Sequence, residues 1–113
     1  MKNLLAFTLL VLTAGCGSRT CDTDADHYRS RECAIKIESR YFSSRWITLM
    51  GTNAYDTGSQ NIYSDLGSWY PLFEKHIAIG DTVVKRKNEL VFYIHKKDTV
   101  LAFPFTCEGK IIQ

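Results

Sequence analysis

The chain has 113 residues, 45% of them hydrophobic, with 14 basic against 12 acidic side chains and a formal net charge of +2. That length excludes more than one ordinary domain. So small a charge leaves no electrostatic footprint for nucleic acid, which is excluded as a partner.

From the first residue, Lys2 precedes an apolar run from Leu4 to Leu12, then the small residues Thr13, Ala14 and Gly15, then Cys16. This is the layout of a signal peptide over residues 1–15. The run is about half of the roughly 20 residues a permanent membrane helix needs, and no cluster of basic residues follows it. The segment Leu12-Thr13-Ala14-Gly15-Cys16 resembles the lipobox of bacterial lipoproteins, with Thr13 standing where Leu is commoner. The resemblance implies cleavage before Cys16 and acylation of its thiol, a membrane anchor in which each buried methylene contributes about 0.8 kcal/mol. Gly17 follows the cysteine where Asp would resemble an inner-membrane retention signal, so the resemblance implies a cell-envelope address at the outer membrane.

Residues 16–32 are polar, with Tyr28 as their single aromatic and no apolar periodicity. They read as the lipidated N-terminus and a tether, leaving residues 33–113 as a small β domain. Residues 34–38 alternate apolar and charged side chains, as a half-buried strand requires. Residues 45–50 form its hairpin partner across the short connection 40–44. Residues 53–63, rich in Asn, Asp, Gly and Ser, predict a loop with room for one short strand. Further on, Ser68 and Pro71 mark the start of a short helix or helical turn carrying Trp69, Leu72 and Phe73 on one side.

The last third is the clearest. A Gly80-Asp81 turn leads into strands at 82–86, 90–95 and 99–105, joined by polar turns at 87–89 and 96–98. Leu90, Phe92 and Ile94 share one face; Leu101, Phe103 and Phe105 share another. Pro104 has no N–H to donate and must lie at an edge, a bulge or past the end of pairing. The predicted fold is therefore mainly β, a small antiparallel open barrel or sandwich of about five or six strands with one short helix. The stretch from Ile77 to Lys87 resembles a Gly-Asp-Thr/Ser-x-x-Lys β element of small bacterial envelope lipoproteins, a likeness that implies fold and location only.

Cys21, Cys33 and Cys107 remain beyond Cys16, an odd number in a compartment that permits disulfides. Cys33 stands before the first expected strand and Cys107 after the last, so a sheet that rolls up would bring these two together. The competing pair is Cys21 with Cys107. No cofactor or metal is expected: there is no C-x-x-C and no histidine pair near a cysteine. The run Asp22, Asp24, Asp26 also fails as a calcium loop, since His27 and Cys33 occupy the positions that need Gly and Glu.

Nothing in the sequence groups His27, His76 and His95, and no Gly-x-Ser-x-Gly elbow is present. Lys85-Arg86-Lys87 and Lys96-Lys97 read as solvated turns at opposite ends of one strand. Tyr41 and Phe42, with Trp69 and Tyr70, are the candidate binding surface, because loops or loop edges present them. The leading expectation is a lipid-anchored cell-envelope binding module without catalytic activity, held to the membrane through its N-terminal lipid and binding an envelope protein or glycan. The alternative is a small envelope hydrolase acting on wall or surface polymer, with a carboxylate such as Asp65 or Glu74 and a histidine such as His76.

Overall fold

The computed structural model describes residues 20–113; the expected signal peptide and the expected anchor at Cys16 lie outside them. Helix α1 spans Cys21–Arg29. It is followed by strands β1 (Cys33–Ser43), β2 (Trp46–Asn53) and β3 (Gln60–Leu66), then two 3-10 turns at Tyr70–Leu72 and Glu74–His76. Strands β4 (Thr82–Lys85), β5 (Val91–His95), β6 (Val100–Pro104), β7 (Thr106–Cys107) and β8 (Lys110–Ile111) complete the chain. The fold is mainly β: a six-stranded antiparallel sheet in the order β3-β2-β1-β4-β5-β6, with a small second sheet of β7 and β8.

Ring geometry shows how far the large sheet curls. Tyr63 on β3 and Phe92 on β5 have centroids 5.7 Å apart, although β2, β1 and β4 lie between their strands. In a flat sheet, four strand spacings would separate them by about 19 Å. The sheet is thus rolled into an open barrel with β3 and β6 as its edges. Pro104 sits in edge strand β6, where its missing N–H costs no internal pairing.

Helix α1 and the segment carrying the 3-10 turns supply aromatic rings to the interior. Tyr28 lies edge-on to Trp69 at 5.1 Å and to Phe105 at 4.9 Å. Phe73 meets Phe92 at 4.7 Å and stacks on Phe103 at 5.6 Å. Edge-to-face packing satisfies the ring quadrupoles and accounts for so many aromatics in one core. Residues 77–81 form a plain turn: Gly80 has φ +94°, and the Asp81 carboxylate accepts from the Ala78 N–H at 2.8 Å and from Lys96 Nζ at 2.5 Å.

Two expectations are corrected. Residues 21–29 are not a tether but a helix, N-capped by Thr20, whose Oγ1 accepts from the Thr23 N–H at 3.2 Å. Asp22 and Asp24 fall in its first turn, where carboxylates oppose the positive end of the helix dipole. Only Ala25 and Tyr28 are buried, one turn apart, so the sequence shows no apolar stripe. The stretch expected as a loop with room for one short strand carries the start of β3 from Gln60, and the helical turn expected after Ser68 is a pair of 3-10 turns.

The second correction concerns the cysteines. Cys21 and Cys107 are at disulfide distance, with Cα atoms 5.8 Å apart, and buried Cys33 is free. The Cys33 to Cys107 pairing fails because β1 is central, not terminal: it lies between β2 and β4, and Cys33 pairs with Lys85 in the ladder. Helix α1 carries Cys21 to Cys107 instead.

One glycine is fixed by space alone. A Cβ on Gly51 would lie 1.9 Å from the Lys36 carbonyl oxygen, opposite the bulge where the β1–β2 register shifts between Ile37 and Ser39. Backbone on both sides cannot yield. Gly51→Ala is expected to cost about 2 to 3 kcal/mol, at the upper end for overpacking, read as a lower urea midpoint with unchanged slope.

Candidate functional site

The ladder at the start of β1 places two small side chains together, Ala34 opposite Val84. Both are buried yet stand outside the main core cluster. They floor a groove of about 440 Å³ together with Cys33 and Lys85. Its walls carry Glu32, Asn53, Tyr55, Asn61, Arg86 and Lys87. Asn53 ends β2, and its Oδ1 accepts from the N–H groups of Tyr55 at 2.9 Å and Asp56 at 3.2 Å. This Asx turn fixes the backbone that presents the Tyr55 ring, which is exposed. On the opposite wall the Arg86 guanidinium lies 5.2 Å from the Tyr93 ring centroid and 3.5 Å from Glu89.

Cys33 is the groove's only thiol, and burial pushes that thiol up to about 12, so it stays protonated and is a poor nucleophile at neutral pH. Lys85 is 1% exposed, and its Nζ donates to the carbonyls of Tyr28 at 2.5 Å, Arg31 at 2.8 Å and Arg86 at 2.9 Å. The ammonium is committed to the backbone. That leaves two cationic side chains, one carboxylate, two carboxamides and one exposed ring to meet a ligand.

Of the residues expected to bind, Tyr41 is 62% exposed and Phe42 half-buried. Trp69 and Tyr70 are 1% and 0% exposed, which removes them from any binding surface. Their rings fill the barrel because the segment after β3 turns inward: the Gly67 N–H donates to the Arg45 carbonyl at 2.9 Å. A Cβ on Gly67 would meet the Tyr28 hydroxyl at 2.1 Å.

The structure also assembles a polar chain that the sequence did not reveal. His27 Nε2 approaches both Asp65 oxygens, at 3.1 and 2.9 Å. The Tyr70 hydroxyl donates to Asp65, and the Tyr63 and Tyr70 hydroxyls are 2.5 Å apart. Arg31 completes the set, donating to the Ser64 carbonyl at 2.7 Å with its guanidinium 4.8 Å from the Tyr63 centroid. Burial raises both Tyr63 and Tyr70 above the ordinary phenol range, so neither hydroxyl supplies a phenolate at neutral pH. The chain ties α1 to β3. Of the residues named for hydrolysis, His76 stacks on Phe103 at 5.1 Å, while Asp65 is engaged by His27; the structure does not bring Asp65, Glu74 and His76 together in one hydrogen-bonded group.

Among the described residues no group of three or more His, Cys, Asp or Glu side chains could hold a metal ion. No helix among them is long and apolar enough to cross a membrane. Comparison with protein-family models, with curated proteins and with solved structures gives no match for this chain.

Proposed function

We propose that this protein is a lipid-anchored, non-catalytic binding module of the cell envelope, and that its ligand is an acidic glycan seated in the groove beside Tyr55. The lipobox-like segment ending at Cys16 motivates the anchor. The observation that carries the ligand is the groove itself, with an exposed aromatic ring, two amides and two cations around about 440 Å³. A ring face takes the apolar side of a sugar, and amides pair with its hydroxyls. Arg86 and Lys87 select negative charge, with Arg86 suited to a bidentate carboxylate contact.

The test is calorimetric titration of the protein with wall-derived acidic oligosaccharides and with their carboxyl-reduced forms. Tyr55→Ala and Arg86→Ser are each expected to weaken binding about tenfold, the loss of roughly 1.4 kcal/mol, without changing the melting temperature by more than a degree or two. Carboxyl reduction should weaken the wild type more than Arg86→Ser, which keeps only Lys87 to meet the charge. Failure of every acidic oligosaccharide to bind, while an envelope protein is retained through the same groove, would replace the glycan by a protein ligand. Hydrolysis of the titrant by the wild type, abolished in Asp65→Asn, would overturn the non-catalytic reading.

A further inference from the structure

The far end of β1 behaves differently from its start. β1 pairs with β4 only over Cys33 to Lys36, and Gly80 and Asp81 cover Ile37. Beyond that point the β1–β2 hairpin has a partner on one side only, β3. Of residues 38–46 all but Phe42 are exposed. The outer face of this arm is apolar by register: Trp46 stands opposite Leu66 and Met50 opposite Ile62, with Tyr41 across from Thr48 between them. All five of these large side chains are exposed, Trp46 at 41%.

From Ser39 to Tyr55 the charge on the arm has one sign, while Glu38 at its base accepts from the Thr52 hydroxyl at 2.7 Å. Arg40 and Arg45 flank the tip, and the sequence holds no Asp or Glu between residues 39 and 55. Arg40 lies 5.4 Å from the Phe42 ring centroid, and neither arginine joins an ion pair among the described residues. Tyr and Trp rings with basic side chains beside them suit the head-group layer of an anionic bilayer, where the rings meet acyl chains and the guanidinium groups meet phosphate. A protein partner would need no such uniform charge.

We propose that the β1–β2 arm docks on an anionic lipid bilayer, laying Tyr41, Trp46 and Met50 into the head-group region with Arg40 and Arg45 on its phosphates. The inference rests on the anchored reading above, and the geometry allows both contacts at once. His27 in the last turn of α1 bonds Asp65, which pairs with Ile47 beside the tip. From there α1 leads back to Thr20 over about 10 Å, and the four residues to Cys16 reach at most about 14 Å further. Docking would leave the groove at the opposite end of β1 open to the surrounding compartment.

The protein has two tryptophans, exposed Trp46 and buried Trp69, so lipid quenching reports on the arm directly. The full acylated chain is reconstituted with vesicles of one part phosphatidylglycerol to three parts phosphatidylethanolamine carrying brominated acyl chains, and with brominated phosphatidylcholine alone. Quenching of the emission is expected in the anionic vesicles and not in the zwitterionic ones, and Trp46→Phe should abolish it. Neutralising Arg40 and Arg45 to Gln should lower the docked-to-undocked ratio about thirtyfold, near fivefold per arginine. A chain that floats with both vesicles but keeps an unquenched Trp46 would overturn docking and leave the anchor intact. A chain that floats with neither would overturn both. A Trp46 blue shift that grows with protein concentration and ignores vesicles would assign the face to a second copy instead.

Discussion

Reduction of the protein is expected to lower its unfolding free energy by about 4 to 5 kcal/mol. Cys21 and Cys107 are 86 residues apart in sequence, and closing a loop of that length removes about 4.6 kcal/mol of chain entropy from the unfolded state in the loop-closure model. Cys21→Ser should reproduce the loss without reductant. Cys33→Ala should not: it leaves a small cavity in a buried site, costs about 1 kcal/mol, and the mutant should still respond to reductant by the full amount. Denaturant unfolding of the three proteins, with and without reductant, distinguishes the pairings. Loss of the reductant response in Cys33→Ala would restore a bridge through Cys33. Because α1 spans Cys21–Arg29 and holds Ala25 and Tyr28 in the core, the bond fastens the first element of the fold to its end.

Why the sequence misdirected that pairing is instructive. A pattern reader sees burial as periodic apolarity, and α1 buries only two residues on an otherwise charged helix. Its signals were the Thr20 cap and the early carboxylates, which also describe a solvated tether. Strand β3 was obscured for the opposite reason. Its alternation is present but inverted, with Asn61, Tyr63 and Asp65 facing the barrel side and Ile62 and Leu66 facing out. An apolar pattern then points away from the core. The strands at 34–38 and 90–95 were legible because their apolar residues do face inward: Ile35, Ile37, Phe92 and Ile94 are all buried.

The candidate site was legible only in part. Tyr41 and Phe42 were expected at the surface and form part of the projecting arm, whereas Trp69 and Tyr70 were expected beside them and are core residues. A Trp-Tyr-Pro run in a short connection reads as exposed until one knows that the barrel needs large rings to fill it. The groove had no local signature at all. Its walls come from the segment before β1, the end of β2 and the turn after it, β3, and the segment after β4, a convergence that only the strand order creates.

Lys85 stands in a run of three basic residues that reads as a solvated turn, yet among the described residues it is the charged side chain that is buried, at 1% exposed. Loss of its side chain, as in Lys85→Met, is expected to destabilise the fold by about 3 to 5 kcal/mol, the range for removing one member of a buried charged network. Three carbonyls, of Tyr28, Arg31 and Arg86, would lose their donor; two of them lie at the C-terminal end of α1 and just past it, where carbonyls have no helical partner. Burial lowers this ammonium from 10.5 to about 8, so it is charged at neutral pH and the folded state there carries the full desolvation penalty. Between about pH 8 and 10.5 the unfolded chain binds the proton more tightly than the folded one, and this group's contribution to stability rises with pH. Cys33 acts in the opposite sense: burial raises its thiol from 9.0 to about 12, so stability falls as pH rises through that window. Tyr63 and Tyr70, raised above 10.0 by burial, add to the fall above about pH 10. Wild-type stability should therefore rise between pH 8 and 9, where Lys85 acts alone among these groups, and decline above pH 10. In Lys85→Met the rise should vanish and the decline begin near pH 9. A mutant profile that still climbs from pH 8 to 9, with an unfolding free energy within about 0.5 kcal/mol of the wild type, would show that Lys85 is solvated after all.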